Sequence, residues 1–146
     1  MTITVETGAG VANANSYVTV TELRAYADAR SITLPSADVT CEPLLIKAID
    51  YIEAQRNRLK GYKKDSDNPL QFPRCDVWID GYEVSDTSIP RELKYAQMQL
   101  ACDAYTVDLM PNQLVTTKGA VVKQKVGDLE VAYDNPANPR SVPAFA

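Results

Sequence analysis

Histidine is absent from the 146-residue sequence, which removes the side chain that most often serves as a general base near neutral pH. The Ser-His and Cys-His nucleophile pairs are therefore missing, and so is the commonest metal ligand. Most hydrolase mechanisms are excluded on this ground, and no paired-carboxylate motif typical of a catalytic pocket is present. We expect a protein that is not an enzyme and that uses no cofactor or metal.

Cysteine is scarce and unsuited to zinc binding. The sequence has three cysteines, Cys41, Cys75 and Cys102. An odd number cannot pair completely, no two of them form a C-x-x-C motif, and no histidine is present to complete a zinc ligand set. Free cysteine is most often a small buried hydrophobic side chain. We therefore expect reduced thiols in a reducing compartment, with a single disulfide as the alternative that the spacing leaves open.

A basic excess and long apolar runs are also missing. Lys and Arg number 15 against 19 Asp and Glu, a net charge of −4, which excludes a bulk polycation for nucleic acid. No apolar run approaches the roughly 20 residues needed to span a bilayer, and residues 1–6 lack the basic start of a secretion signal. The length fits one domain without a membrane segment.

Helical patterns account for most of residues 19–109. Thr19 and Glu22 form a capping box that predicts the start of a short first helix. Apolar residues spaced by three and four predict a second helix over about 42–58, with Pro43 in its first turn. The same spacing predicts a third helix over about 90–109, capped by Ser88.

Two other segments have different patterns. Turn-forming residues over 62–80 predict a long surface loop with an aromatic anchor. Two β-rich runs around Gly127-Asp128 predict a hairpin over about 120–133. Residues 135–146 contain three prolines and predict an extended tail.

The expected fold class is therefore mainly α: a small helical bundle with a protruding β-hairpin and an extended C-terminal tail. Residues 1–134 would form the domain and 135–146 the tail. A two-stranded hairpin is marginally stable alone, so it must lie on the helices or on another chain.

Several motifs, each weak alone, occur in an order that is similar to one family. They are Thr4-Val-Glu-Thr-Gly8, Ala14-Asn-Ser-Tyr-Val18, a capped helix with Tyr26, Ala48-Ile-Asp-Tyr-Ile52, Leu70-Gln-Phe-Pro-Arg74, Asp80-Gly-Tyr-Glu-Val84, Ile89-Pro90 and Lys125-Val-Gly-Asp-Leu-Glu-Val131. Together they resemble the head-to-tail connector (adaptor, or head-completion) proteins of tailed bacteriophages. Some relatives carry the label of DnaT-like single-stranded-DNA-binding proteins.

The resemblance implies a structural virion protein in the phage neck, assembled in the host cytoplasm. It implies a ring, in many cases dodecameric, between the portal protein and a tail, stopper or terminator protein. Genomic DNA would pass through the ring without sequence-specific binding, and an acidic lumen would let the phosphates slide. Many relatives end in an apolar helix, whereas this chain ends in Val142-Pro-Ala-Phe145.

Two segments are candidate interfaces with the portal or a neighbouring subunit. Hairpin edges pair readily with another chain, which points to Val121, Val122, Lys123 and Lys125. The tail residues Arg140, Val142, Pro143 and Phe145 are candidates for an extended plug that orders on binding. The alternatives are a hairpin covered within its own chain and a disordered end.

A basic stretch supports the alternative function, single-stranded DNA binding. Its members are Arg56, Arg58, Lys60, Lys63, Lys64 and Arg74, interleaved with Tyr62, Phe72 and Trp78, and single-strand binders combine cations with stacking rings. Other interpretations are the solvated end of the second helix or a contact with acidic patches on a neighbouring subunit. Interspersed aspartates would cancel much of the local field.

Overall fold

The computed structural model describes residues 1–111, 123–126 and 129–132. The chain divides into two compact units, Met1–Met110 and Pro111–Ala146. The described residues contain three α-helices, one pair of short strands and two small antiparallel hairpins. The fold is therefore small and mixed.

Helix α1 (Val20–Asp28) begins where the capping box predicts it. The Thr19 hydroxyl accepts the Glu22 N–H at 3.1 Å, and the Glu22 carboxylate accepts the Thr19 N–H at 2.7 Å. Two backbone donors of the first turn are thus satisfied reciprocally. The prediction from the sequence is confirmed.

Helix α2 (Asp38–Ala54) begins earlier than predicted, so that Pro43 lies inside the helix rather than in its first turn. Its start is held by Arg24, which donates to Asp38 at 2.7 Å and to the carbonyl oxygens of Pro35 and Ser36. This tertiary contact fixes the first turn without a side-chain cap. The predicted C-terminal part is a separate 3-10 turn, Arg56–Arg58.

Helix α3 (Arg91–Asp103) is shorter than predicted at its C-terminal end. Its N-cap is Pro90, not Ser88, because the Ser88 hydroxyl donates instead to the Ser85 carbonyl oxygen at 3.0 Å. The first turn is closed by the backbone, because the Pro90 carbonyl oxygen accepts the N–H groups of Leu93 at 3.1 Å and Lys94 at 3.2 Å.

The three helices pack around one core. Its buried side chains come from all three helices and from the segment before α1, and include Val18, Leu23, Cys41, Leu45, Ala48, Met98, Ala101 and Cys102. Alanines on α2 and α3 permit close helix approach. Ala101 and Ala104 lie in this core, whereas Ala96 of α3 is exposed.

The segment predicted as a surface loop is more ordered than expected. Strands β1 (Tyr62–Lys63) and β2 (Arg74–Cys75) pair antiparallel, and β3 (Trp78–Ile79) and β4 (Tyr82–Glu83) form a hairpin. The predicted aromatic anchor is Phe72, which is buried and packs edge-on against Tyr17 with ring centroids 6.5 Å apart. The loop is thereby fastened to a second core cluster.

The C-terminal unit contains the predicted hairpin, formed by β5 (Lys123–Val126) and β6 (Leu129–Ala132). The strands are antiparallel, with Lys125 opposite Glu130. The tail, residues 135–146, lies outside the described residues. Among the helices described, none is long and apolar enough to cross a membrane.

Candidate functional site

The predicted basic stretch does not form one surface, because Arg74 is buried and structural. Its Nε donates to the Lys60 carbonyl oxygen at 2.8 Å, and its two Nη atoms donate to the Gly61 carbonyl oxygen at 2.6 Å and to Gln71 Oε1 at 3.0 Å. Only 7% of the residue is exposed. The guanidinium therefore closes the 60–75 loop and is unavailable to a ligand.

Two further cations of the stretch are used within the chain. Lys63 Nζ donates to the Asn68 carbonyl oxygen at 2.6 Å. Lys64 Nζ lies 3.3 Å from a carboxylate oxygen of Asp86, in a half-exposed ion pair. The positive charge available to an external anion is reduced at both positions.

Besides Lys64, three cations of the stretch are exposed: Arg56, Arg58 and Lys60. They follow the C-terminal end of α2, where positive charge is favoured by the helix dipole. The exposed ring of Trp78 does not extend this patch, since its Nε1 donates to Asp76 at 3.1 Å and a carboxylate therefore lies beside it.

A second basic and aromatic surface, which the sequence reasoning missed, lies between α1 and α3. The rings of Tyr26 and Tyr95 have centroids 5.7 Å apart. The Arg30 guanidinium carbon lies 3.6 Å from the Tyr26 centroid, and that of Arg91 lies 5.8 Å from the Tyr95 centroid. Such contacts are typical cation–π geometry.

This surface is a groove of about 360 Å³, which we call the α1–α3 groove. Its walls are Met98 and two alanines together with the two tyrosines, and Arg30, Arg91 and Lys94 supply positive charge. The carboxylate of Glu22 also lines it, but that group is engaged at the α1 cap. The available signal in the sequence was two Arg–Tyr pairs spaced by four residues. Tyr26 lies on α1 with Arg30 just after its end, and Arg91 and Tyr95 both lie on α3.

The β3–β4 hairpin has the opposite charge. Residues 75–90 contain four acidic residues and no basic one. Trp78 and Tyr82 are 51% and 78% exposed, and the turn residues Asp80 and Gly81 both have positive φ, as an Asp-Gly hairpin turn requires. Among the described residues, no atom lies within 4 Å of the position that a Cβ on Gly81 would take, so the hairpin tip is not packed against this part of the chain.

A cavity of about 490 Å³ lies beside the N-terminal loop and includes Gly8, Gly10 and Asn68 in its wall. The loop is held by Glu6, a fully buried residue whose carboxylate accepts the N–H groups of Gly8, Gly10 and Val11 at 2.8–3.0 Å. These bonds satisfy the buried charge within the loop. Among the residues described, no group of three or more acidic or thiol side chains could hold a metal ion.

Comparison with known families shows where the chain belongs. A family model described as "Putative DnaT-like ssDNA binding protein" matches residues 1–146. The chain is a member of this DnaT-like family. No curated protein and no solved structure matches it.

The remaining predicted residues of this DnaT-like chain are the three cysteines and the candidate interface residues. The three cysteines are free thiols, as predicted, and burial raises the pKa of the Cys41 and Cys102 thiols. Lys123 and Lys125 lie in β5. The other predicted interface residues, Val121, Val122, Arg140, Val142, Pro143 and Phe145, lie outside the described residues.

Proposed function

We propose that this DnaT-like protein is a head-to-tail connector of a tailed bacteriophage. It forms an oligomeric ring beneath the portal protein, binds a tail, stopper or terminator protein on its other side, and gives passage to genomic DNA. It acts in the virion neck after assembly in the host cytoplasm. Its role is structural, since it depends on the burial of protein interfaces rather than on catalysis.

The observation that carries the proposal is the internal use of the basic stretch. Arg74, Lys63 and Lys64 bind groups of their own chain, so the stretch does not offer the continuous basic groove of a single-strand binder. The net charge of −4 disfavours retention of DNA in a channel. Both properties suit a ring through which DNA slides.

The β5–β6 hairpin supports the finer architecture of the proposal. Within the described residues the two strands pair only with each other, so each strand has an outer edge whose backbone groups suit pairing with another chain. In this proposal the hairpin and residues 135–146 provide the contacts with the portal or a neighbouring subunit.

The family's description favours a second candidate function, single-stranded DNA binding. The exposed residues Arg56, Arg58 and Lys60 would then form the contact with phosphate. The affinity would depend strongly on salt, because phosphate contacts release counterions.

Sedimentation of the full chain separates the two candidates. The protein is mixed in near-physiological salt with nothing, with a single-stranded oligonucleotide, or with portal protein or DNA-filled tailless heads. Co-sedimentation with portal or heads, without oligonucleotide binding, is the expected result. Salt-sensitive oligonucleotide binding without portal binding would overturn the connector proposal.

A variant carrying R56A and R58A is the matched test of the second candidate. Both side chains are exposed, so the fold is expected to be unchanged. The connector proposal predicts undiminished binding to heads, whereas single-strand binding through this patch predicts a loss of oligonucleotide affinity.

A further inference from the structure

The α1–α3 groove has the composition of a protein interface. Tyr and Arg side chains are enriched at the centres of interfaces, where they supply much of the binding free energy. Here Tyr95 is 45% exposed, and the Arg91 side chain is 74% exposed, with an Nη atom 3.4 Å from the Glu92 carboxylate in an exposed ion pair. Tyr95 and Arg91 line the same apolar groove as Met98. The groove therefore suits a partner with an aromatic or apolar tip and negative charge.

The β3–β4 hairpin supplies such a tip on the same chain. Trp78 and Tyr82 are its exposed rings, and Asp80 and Glu83 are exposed acidic residues beside them. No lysine or arginine lies between residues 75 and 90, and the ion pair of Lys64 is with Asp86, outside the two strands of the hairpin. The hairpin and the groove share no residue, so one subunit can use both at once.

We propose that the β3–β4 hairpin of one subunit docks into the α1–α3 groove of a second copy of this chain. The aromatic tip would bury against Tyr95 and Met98, and the hairpin carboxylates would face Arg91 and Lys94. The inference rests on the proposed ring, to which it assigns the subunit contact. Because the two surfaces differ, the contact is heterologous, and repetition closes a ring or extends a filament according to the rotation per subunit.

The same groove is less suited to nucleic acid. Base stacking needs an open aromatic face, but one face of Tyr26 is covered by the Arg30 guanidinium at 3.6 Å. The Tyr26 hydroxyl is also engaged, since it donates to Gln99 at 3.0 Å. A protein segment that buries against Tyr95 and pairs with the neighbouring cations fits these constraints better.

A charge exchange between the two surfaces tests the proposal. The groove variant carries R91E and K94E, and the hairpin variant carries D80N and E83K. Asn-Gly is a favoured turn of the same type, and glutamate is favourable in the first turn of α3, so both variants are expected to fold. Circular dichroism and thermal unfolding check this before association is measured.

Sedimentation velocity over a wide concentration range reports self-association of the full chain. We expect each variant alone to associate about tenfold or more weakly than the parent. Mixing the two variants is expected to restore association, because the reversed groove then meets the reversed hairpin. The control pair R56E and R58E makes the same charge change outside the groove and is expected to associate like the parent.

Three results would overturn the inference. The first is that the parent chain stays monomeric at every concentration. The second is that the groove and hairpin variants each associate as strongly as the parent, and the third is that the two variants mixed together associate no more strongly than either variant alone. Loss of oligonucleotide binding in the groove variant, with self-association unchanged, would make the groove a nucleic-acid site instead.

Binding to portal-bearing heads is measured separately on the same proteins. A parent chain that self-associates as described but does not bind heads would contradict the connector proposal. The proposed subunit contact would still be supported. A parent chain that binds heads while the charge exchange has no effect would contradict only the contact proposed here.

Discussion

The side-chain amide oxygen of Gln97 accepts the backbone N–H of Tyr17 at 2.9 Å, although the two residues are 80 positions apart in the sequence. The amide nitrogen of the same side chain donates to the Ser16 hydroxyl at 2.8 Å and lies 3.4 Å from the Leu45 carbonyl oxygen. Gln97 is completely buried. One polar side chain of α3 therefore ties the N-terminal segment to the helical core.

Replacement of Gln97 by leucine is expected to lower the free energy of unfolding by about 2–4 kcal/mol, because buried groups of Tyr17 and Ser16 lose their partner. Urea denaturation measures the change. Gln99→Ala, on the same helix but partly exposed, is expected to cost about 1 kcal/mol or less. Equal losses in the two variants would contradict the special role of Gln97.

Glu6→Gln tests the carboxylate that holds the N-terminal loop. An amide offers a single acceptor oxygen to three backbone N–H groups, so the free energy of unfolding should fall by about 2–3 kcal/mol. Glu83→Gln, at an exposed strand position, is the matched control and should be neutral in the same denaturation experiment. An unchanged stability of Glu6→Gln would show that the three hydrogen bonds contribute little.

Arg74→Ala is expected to cost about 2–4 kcal/mol, since two carbonyl oxygens and Gln71 lose a charged donor. Arg58→Ala removes the same charge from an exposed position and should leave the thermal midpoint unchanged. Arg74→Lys should recover little of the loss, because an ammonium group lacks the planar fork that reaches several acceptors. Calorimetry on the three variants distinguishes a structural arginine from a ligand-binding one.

Alkaline pH is expected to destabilise the fold through Tyr17. Burial raises the pKa of its hydroxyl above the usual value, so the unfolded chain releases this proton first and binds fewer protons than the folded chain above about pH 10. Stability should therefore fall as the pH rises through that range. The raised thiol pKa of Cys41 and Cys102 acts in the same direction.

Urea denaturation at a series of pH values measures this slope. Tyr17→Phe should flatten it, although the variant is less stable at neutral pH because the Phe72 N–H loses its acceptor, the Tyr17 hydroxyl, at 3.1 Å. Tyr82→Phe, at an exposed position, should keep the parental slope. Equal slopes in all three proteins would exclude Tyr17 as the source.

Deletion of residues 135–146 tests the tail. Unit Met1–Met110 has its own core clusters, so its thermal midpoint is expected to be unchanged. Attachment to portal-bearing heads should be lost. A truncated protein that still completes heads would remove the tail from the proposed portal contact.

Local signals in the sequence predicted those features that depend on neighbouring residues alone. The Thr19–Glu22 capping box gave the correct start of α1, and the strand pattern around Gly127-Asp128 gave the β5–β6 hairpin. The start of α2 was wrong, because it depends on Arg24, which lies 14 positions before Asp38. No local pattern reports that contact.

The surfaces were harder to predict for the same reason. Arg74 looked like one cation of a basic run, but its partners are carbonyl oxygens 13 and 14 positions away. The α1–α3 groove requires Tyr26 and Tyr95 to meet, which only the packing of the two helices brings about. Charge and aromatic content are readable from a single sequence, whereas their arrangement in space depends on tertiary contacts.

The long span of the Gln97 contacts also bears on synthesis of the chain. A ribosome-bound chain that ends before α3 contains Tyr17, Ser16 and α2 but lacks the amide that joins them. The backbone N–H of Tyr17 therefore lacks this partner until about two-thirds of the protein has been translated. We expect arrested chains ending at residue 90 to be cleaved by protease near this segment, and chains released at full length to resist cleavage there.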